Sequence, residues 1–216
     1  MEKQTIQPFL SVANYHLIEQ QLNKILNAYN TTKDQNVILA VKGIVETEIE
    51  QNIHPLDHQV EIIGQIYHIT DHKQGDLYLE SLNPYVIPFK EVTSSKLKSL
   101  FKKEKKLKLP HLETIDFQHT CYLAWDDVST HRKYVVFEHQ GKLKAVKGQM
   151  DTNFLKGVCA ICNHHSEVSL FTTTKKGQTA DNYKRHSNYI CIDSQKCNQH
   201  ITNAQRVSEF FARVTE

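Results

Sequence analysis

The chain has 216 residues, 39% of them hydrophobic and 23% charged, and a formal net charge of +2, which excludes a polycation and a highly charged disordered chain. Seven Gly and five Pro leave little room for long flexible linkers, and the length suits one large domain or two small ones. No apolar run reaches the roughly 18 residues of a membrane span, and the opening MEKQTIQPFLSVANYHL lacks the apolar core of a signal peptide. The expectation is a cytoplasmic protein with reduced thiols and no structural disulfides.

The small net charge hides an uneven distribution. Residues 1–95 carry six Lys and twelve acidic residues, whereas Lys96–Lys108 (KLKSLFKKEKKLK) carries seven Lys against Glu104 alone. The first part also reads as helical. FLSVANYHLIEQQLNKILNAY places Phe9, Val12, Leu17, Leu22, Ile25, Leu26 and Tyr29 near a 3.6-residue period. DQNVILAVKGIVETEIEQNI follows, with Asp34 as N-cap and Val37, Val41, Ile44, Val45 and Ile49 expected on one side. LDHQVEIIGQIYHI and GDLYLESL predict two shorter helices, punctuated by Pro55, Gly75 and Pro84. Helices joined so closely pack as a bundle, expected over residues 1–92.

Residues 93–109 predict a basic amphipathic connecting helix, with Leu97, Leu100, Phe101 and Leu107 inward and Lys98, Lys102, Lys105 and Lys106 outward. Its lysines read as a solvated face or as a contact for an acidic protein surface or RNA. After Pro110 the texture changes. CYLAWDD, RKYVVFEH and KLKAVKG are short and rich in aromatic or β-branched residues, the pattern of an antiparallel meander. LFTTTKK and SNYI suit the strands of a hairpin, and Thr202-Asn-Ala-Gln205 predicts a capping box opening a last helix with Val207, Phe210, Phe211 and Val214 on its apolar side. The fold class is therefore α+β: an N-terminal helical bundle and a mixed α/β domain over residues 110–216, expected to be separable near Pro110.

Four of the five cysteines, Cys159, Cys162, Cys191 and Cys197, lie in a C-x2-C…C-x5-C pattern. A tight turn presents two sulfurs from the first pair, a hairpin follows, and the second pair leads into a helix, which is the plan of a treble-clef zinc finger. The long second spacing leaves His164, His165, His186 and His200 as substitutes for Cys197. A redox pair would need a thioredoxin-like βαβ setting and no second pair, and neither condition holds. Four thiolates close the coordination sphere, so the expected cofactor is one structural Zn²⁺, with Lys156, Lys184, Arg185 and Lys196 near enough in sequence to offset its negative charge. Cys121, in a predicted strand, reads as a core residue. Asp126-Asp127 reads as a polar turn, and no phosphate-binding glycine loop, G-x-S-x-G or H-E-x-x-H occurs, so no enzyme is expected.

YLAWDDVSTHRKYVVF, KGVCAICNHHSEVSLF and NYICIDSQKCNQHI resemble the C-terminal domain of the FusB-type family, bacterial proteins that bind elongation factor G and confer fusidic acid resistance. SSKLKSLFKKEKKLKLP and the helical order extend the resemblance over the N-terminal part. It implies a non-enzymatic, cytoplasmic, monomeric protein that binds elongation factor G and promotes its release from drug-stalled ribosomes. It also implies a partner-binding face on the finger. Tyr189 matches a contact tyrosine and Phe210 an aromatic of the last helix, with Phe211 beside it. His186 stands where the resistance proteins carry a lysine, next to Arg185, and Val158 where they carry an aromatic. The alternative reading from the residues alone is an RNA-binding zinc finger that uses Lys96–Lys108 and Lys184-Arg185.

Overall fold

The computed structural model describes residues 7–176 and 183–215. The opening residues 1–6, part of the stretch expected to lack a signal-peptide core, lie outside the described residues. The chain divides into two compact units, Met1–Ile87 and Pro88–Glu216.

The first unit begins with β1 (Leu10–Ser11), which pairs in parallel with β2 (Val86–Ile87) and so joins the two ends of the unit. Ser11 caps α1 (Val12–Thr31) by accepting from the Asn14 amide at 3.1 Å. Val12, Leu17, Leu22, Ile25 and Leu26 are buried on α1 as their period requires. Asp34 caps α2 (Gln35–Ile53) as expected, its carboxylate 2.9 Å from the Asn36 amide. The buried side of α2 is Ile38, Val45 and Ile49, whereas Val37 and Ile44 are 45% and 58% exposed. The expected face is therefore rotated: on α2 the buried strip runs through Ile38, Val45 and Ile49 and leaves Ile44, about 100° from Val45, outside it.

His54, at φ 50°, ends α2 in the left-handed conformation, and Pro55 prevents its continuation. The expected third helix divides at Gly64 into α3 (Asp57–Gly64) and a single 3₁₀ turn, Gln65–His68. The fourth helix, α4 (His72–Leu82), starts earlier than its apolar residues suggest because Asp71 caps it through the Gln74 amide at 2.9 Å. Gly75 lets α4 approach α1, since a Cβ there would stand 3.3 Å from the ends of Leu22 and Leu26. Among the described residues no helix is long and apolar enough to cross a membrane.

In the second unit, the expected connecting helix of residues 93–109 is only α5 (Ser94–Leu100), and it is not a connector. Leu97 and Phe101 are buried in a cluster with Phe89, Val92, Leu123, Tyr134 and Val136. Beyond Leu100 the chain turns, because Glu104 is drawn inward by Arg132, by the Tyr134 hydroxyl at 3.1 Å and by Lys147. Lysines at i,i+3 and i,i+4 spacing also weigh against prolonging a helix there.

The strands form a five-stranded antiparallel meander: β3 (Leu123–Asp127), β4 (Arg132–His139), β5 (Lys142–Val158), β6 (His165–Lys176) and β7 (Tyr183–Cys191). Strand β5 runs well past the expected Gly148, with a register shift between Met150 and Phe154. The Phe171 ring stands where a side chain on Gly148 would have to be, so glycine at that position admits the ring. Strand β4 is covered on both faces. Tyr134 and Val136 enter the cluster with Phe101, while Phe137 meets Phe211 of α7 (Ala204–Thr215), ring centroids 5.1 Å apart. The expected capping box at Thr202 is replaced by a simple cap one residue later, where the Asn203 side chain accepts from the Arg206 amide at 2.9 Å.

Candidate metal centre and partner-binding face

Val158 ends β5, and the next four residues fold into a tight knuckle. The Cys159 amide donates to His164 O at 3.0 Å, the Asn163 amide returns to Cys159 O at 2.9 Å, and Asn163 takes φ 59° to close the turn. The Ala160 amide donates to Tyr189 O at 2.8 Å and fixes the knuckle to β7. Strand β7 ends at Cys191. Asp193 then caps the short helix α6 (Ser194–Gln199) by accepting from the amides of Gln195 and Lys196, which places Cys197 on the first turn.

These elements bring the sulfurs of Cys159, Cys162, Cys191 and Cys197 within 4.8 Å of one another. Two of the separations, Cys159–Cys197 and Cys162–Cys191, are 3.8 Å. A tetrahedral zinc with Zn–S bonds of about 2.3 Å requires sulfur–sulfur edges of about 3.8 Å, so the donor set fits the ion. Amides of Ile161 and Cys191 point at the Cys159 sulfur at 3.4 and 3.3 Å, as expected for a thiolate acceptor. Hydrogen bonds from Cys162, Cys191 and Cys197 hold the Cys159 thiol far below its ordinary range. Cys159, Cys191 and Cys197 are buried. The site is closed, with four sulfur donors and no position for water, and its cofactor is one structural zinc ion.

The histidines considered as substitutes stand elsewhere. His164 and His200 stack on each other, ring centroids 4.0 Å apart, His165 is exposed at the start of β6, and His186 lies on β7 opposite Thr173. Cys121 is half-buried rather than a core residue, but its thiol is enclosed enough for burial to push it up to about 12, and it takes no part in the cluster. Asp126 and Asp127, expected in a polar turn, are instead the last two residues of β3, and Ser129, Lys108 and Thr130 donate to Asp127 and hold its carboxyl below the usual range.

Two residues that support the site escape a reading of the sequence. Lys133, on β4 and only 1% exposed, donates to Asp126, to Ile192 O and to Ser194 Oγ. Asn198 accepts from the amides of Cys121 and Tyr122 and donates to Tyr122 O and Ser194 O, so all of its amide capacity is used. Both tie α6, and hence Cys197, to the sheet. A lysine within a strand pattern reads as a solvent-facing residue, and a helix asparagine reads as neutral, so neither carries a local signal.

The residues expected to bind a partner separate into three groups. Tyr189 pairs with Leu170 and Arg185 with Thr174, and both side chains are exposed on one face of β7, with Ser187 between them and Tyr183 beyond. Leu155 of β5, 46% exposed, shares that face through its pairing with Val168. His186 belongs to the opposite face, since successive strand residues alternate, and its Nε2 is buried with no partner among the described residues. Phe210 and Phe211 are 1% and 0% exposed, so neither belongs to the exposed partner-binding face that the resemblance implies. Phe211 is packed between Tyr122 and Phe137 at 5.2 and 5.1 Å, and Phe210 meets Phe211 at 5.1 Å.

The fold and the cluster define a zinc-binding protein made of a helical bundle and a treble-clef finger carried by a five-stranded sheet. Two family models divide the chain in the same way: "Elongation factor G-binding protein, N-terminal" matches residues 9–90, and "FBP C-terminal treble-clef zinc-finger" matches residues 92–215. A solved structure titled "Structure of the fusidic acid resistance protein FusC" is similar at a TM-score of 0.81 and 31% identity, covering 96% of this chain and 98% of that one. A search of curated proteins found no match. The chain belongs to the FusB-type family of elongation factor G-binding proteins.

Proposed function

We propose that this protein binds translation elongation factor G through the exposed face of β7 and promotes its release from ribosomes stalled by fusidic acid. The reading places it in the cytoplasm as a monomer that acts by binding, without catalysis. The observation that carries it, beside family membership, is the row Tyr183, Arg185, Ser187 and Tyr189 on one face of a strand that ends in the metal cluster. A zinc-fixed strand presents these side chains at little entropic cost, and Arg and Tyr are enriched among residues that dominate protein interfaces. The RNA-binding alternative draws on Lys96–Lys108, where Lys108 is engaged by Asp127 and Ser129. Calorimetric titration of the zinc-loaded protein against purified elongation factor G, repeated at several salt concentrations, tests the reading. Binding that survives moderate salt and is lost on chelation supports it. Absence of binding to both the free and the ribosome-bound factor would refute it, and steep log-linear salt dependence on RNA would favour the alternative.

A further inference from the structure

The helical unit carries a recess that the zinc-finger reading leaves unused. The left-handed His54 and the following Pro55 turn the chain from α2 into α3, and between these helices lies a cavity of about 240 Å³. Its apolar lining is Ile49, Pro55, Val60, Ile63 and Tyr67. Drug-sized ligand pockets occupy roughly 300–1,000 Å³, so this volume suits one or two side chains of a partner better than a cofactor. Gly64 also lines it, and nothing lies within 4 Å of the place where its Cβ would stand, so the space above this glycine is open. Val60 is 49% exposed, as is 62% of the adjacent Leu56.

The rim is acidic. Glu46 and Glu50, one turn apart on α2, both line the cavity and are exposed. Neither has a cationic partner among the described residues, whose salt bridges all join side chains of the second unit. The nearby Lys42 is engaged by Tyr67 O at 2.6 Å and Tyr29 Oη at 3.0 Å. Burial and the two carboxylates push the Tyr67 hydroxyl up to about 12, so it stays a neutral group at the rim. The whole unit is acidic, with five Lys against eleven Asp and Glu over Met1–Ile87.

An apolar recess with unpaired carboxylates at its edge is complementary to a segment that inserts an aliphatic side chain and sets a Lys or Arg beside it. Phosphates and acidic peptides are repelled by the same edge. We propose that this recess is a second docking site, independent of the zinc-finger face, for a basic amphipathic segment of a protein partner.

The test uses the full, zinc-loaded protein and a fluorescein-labelled synthetic leucine–lysine amphipathic peptide, read by anisotropy, with a leucine–glutamate peptide as its counterpart. Gly64→Leu fills the recess at a helical position where glycine is a poor helix former, so stability should hold or rise while binding is lost. Glu46→Lys with Glu50→Lys reverses the rim, and Asp76→Lys with Glu80→Lys makes the same charge change at exposed positions of α4 that do not line the recess. The expected result is binding of the lysine peptide only, weakened at least about tenfold by Gly64→Leu and by the rim reversal and by less than about threefold by the α4 changes. The proposal is overturned if wild-type protein does not bind, if Gly64→Leu binds equally well, or if the α4 changes weaken binding as much as the rim reversal. Self-association abolished by Gly64→Leu would assign the recess to a second copy of the chain and also overturn it.

Discussion

The ammonium of Lys133 donates to the hydroxyl of Ser194 at 2.8 Å, linking the second strand of the meander to the helix that carries Cys197. Its other bonds reach Ile192 O at 3.2 Å and Asp126 at 2.9 Å. Lys133→Met keeps the aliphatic stem and removes all three. Asp126 is about half exposed and can be hydrated, whereas the carbonyl and hydroxyl beside the metal cluster lose a charged donor. Hydrogen bonds to charged groups contribute roughly 1.5–3 kcal/mol, so stability should fall by about 2 kcal/mol. Zinc transfer to a chromogenic chelator should be faster than in wild type. A lower melting temperature with an unchanged transfer rate would show that Lys133 supports the sheet and not the metal site.

The buried thiol of Cys121 gives a pH-dependent prediction. Its pKa rises from 9.0 to about 12 in the folded protein because burial disfavours the thiolate. The folded state therefore holds this proton more tightly than the unfolded state. The corresponding stability is fully present below about pH 9 and is lost as the pH rises toward 12. Cys121→Ser should flatten that alkaline decline in denaturant titrations while leaving one zinc per chain. At pH 8 a thiol reagent should react with none of the five cysteines of the zinc-loaded protein and with all five after denaturation and chelation.

Phe211 and Tyr189 should fail in different ways when truncated. Phe211, enclosed by Tyr122, Phe137 and Phe210, should cost about 3–5 kcal/mol of stability as Phe211→Ala. Tyr189 is 45% exposed, so Tyr189→Ala should leave the melting temperature nearly unchanged and weaken factor binding by roughly thirtyfold, about 2 kcal/mol. His186→Ala, on the other face of β7, should affect binding less than Arg185→Ala. Equal losses for His186 and Arg185 would contradict the alternation of the strand.

The cysteine cluster was legible because its signal is local: a C-x2-C knuckle and a second pair before a helix need no knowledge of the rest of the fold. Amphipathic α1 and the meander were legible from periodicity for the same reason. The assignment of Phe210 and Phe211 failed because adjacent helix positions differ by only about 100°, and α7 is packed broadly enough against the sheet and Tyr122 to bury both. The opposed orientation of His186 and Arg185 was available in principle, since the strand reading of SNYI extended backward already places Tyr189, Ser187 and Arg185 on one side. Lys133 and Asn198 depend on contacts between residues about 60 to 77 positions apart, which no local pattern reports.

The boundary of the second unit makes the final prediction. Composition places it near Pro110, whereas the compact unit begins at Pro88. Phe89, Val92, Leu97 and Phe101 lie between these positions, and each is at least nine-tenths buried in the cluster with Leu123, Tyr134 and Val136. The Phe101 ring stands edge-on to Trp125 at 5.6 Å and to Tyr134 at 5.3 Å, while Phe89 stacks on Phe117 at 6.4 Å. Burying each such side chain contributes about 1.5–3 kcal/mol, so removing four forfeits roughly 6–12 kcal/mol. That equals most or all of the roughly 5–15 kcal/mol by which a domain is stable. Zinc cannot compensate, because none of its four ligands belongs to the cluster around Phe101, whose apolar surface would be uncovered. A fragment of residues 88–216 should therefore melt cooperatively with zinc and lose that transition with a chelator. A fragment of residues 110–216 should bind the metal yet show no cooperative transition and should bind a hydrophobic dye. A cooperative, zinc-dependent transition in the shorter fragment would show that the cluster around Phe101 is dispensable and return the boundary to Pro110.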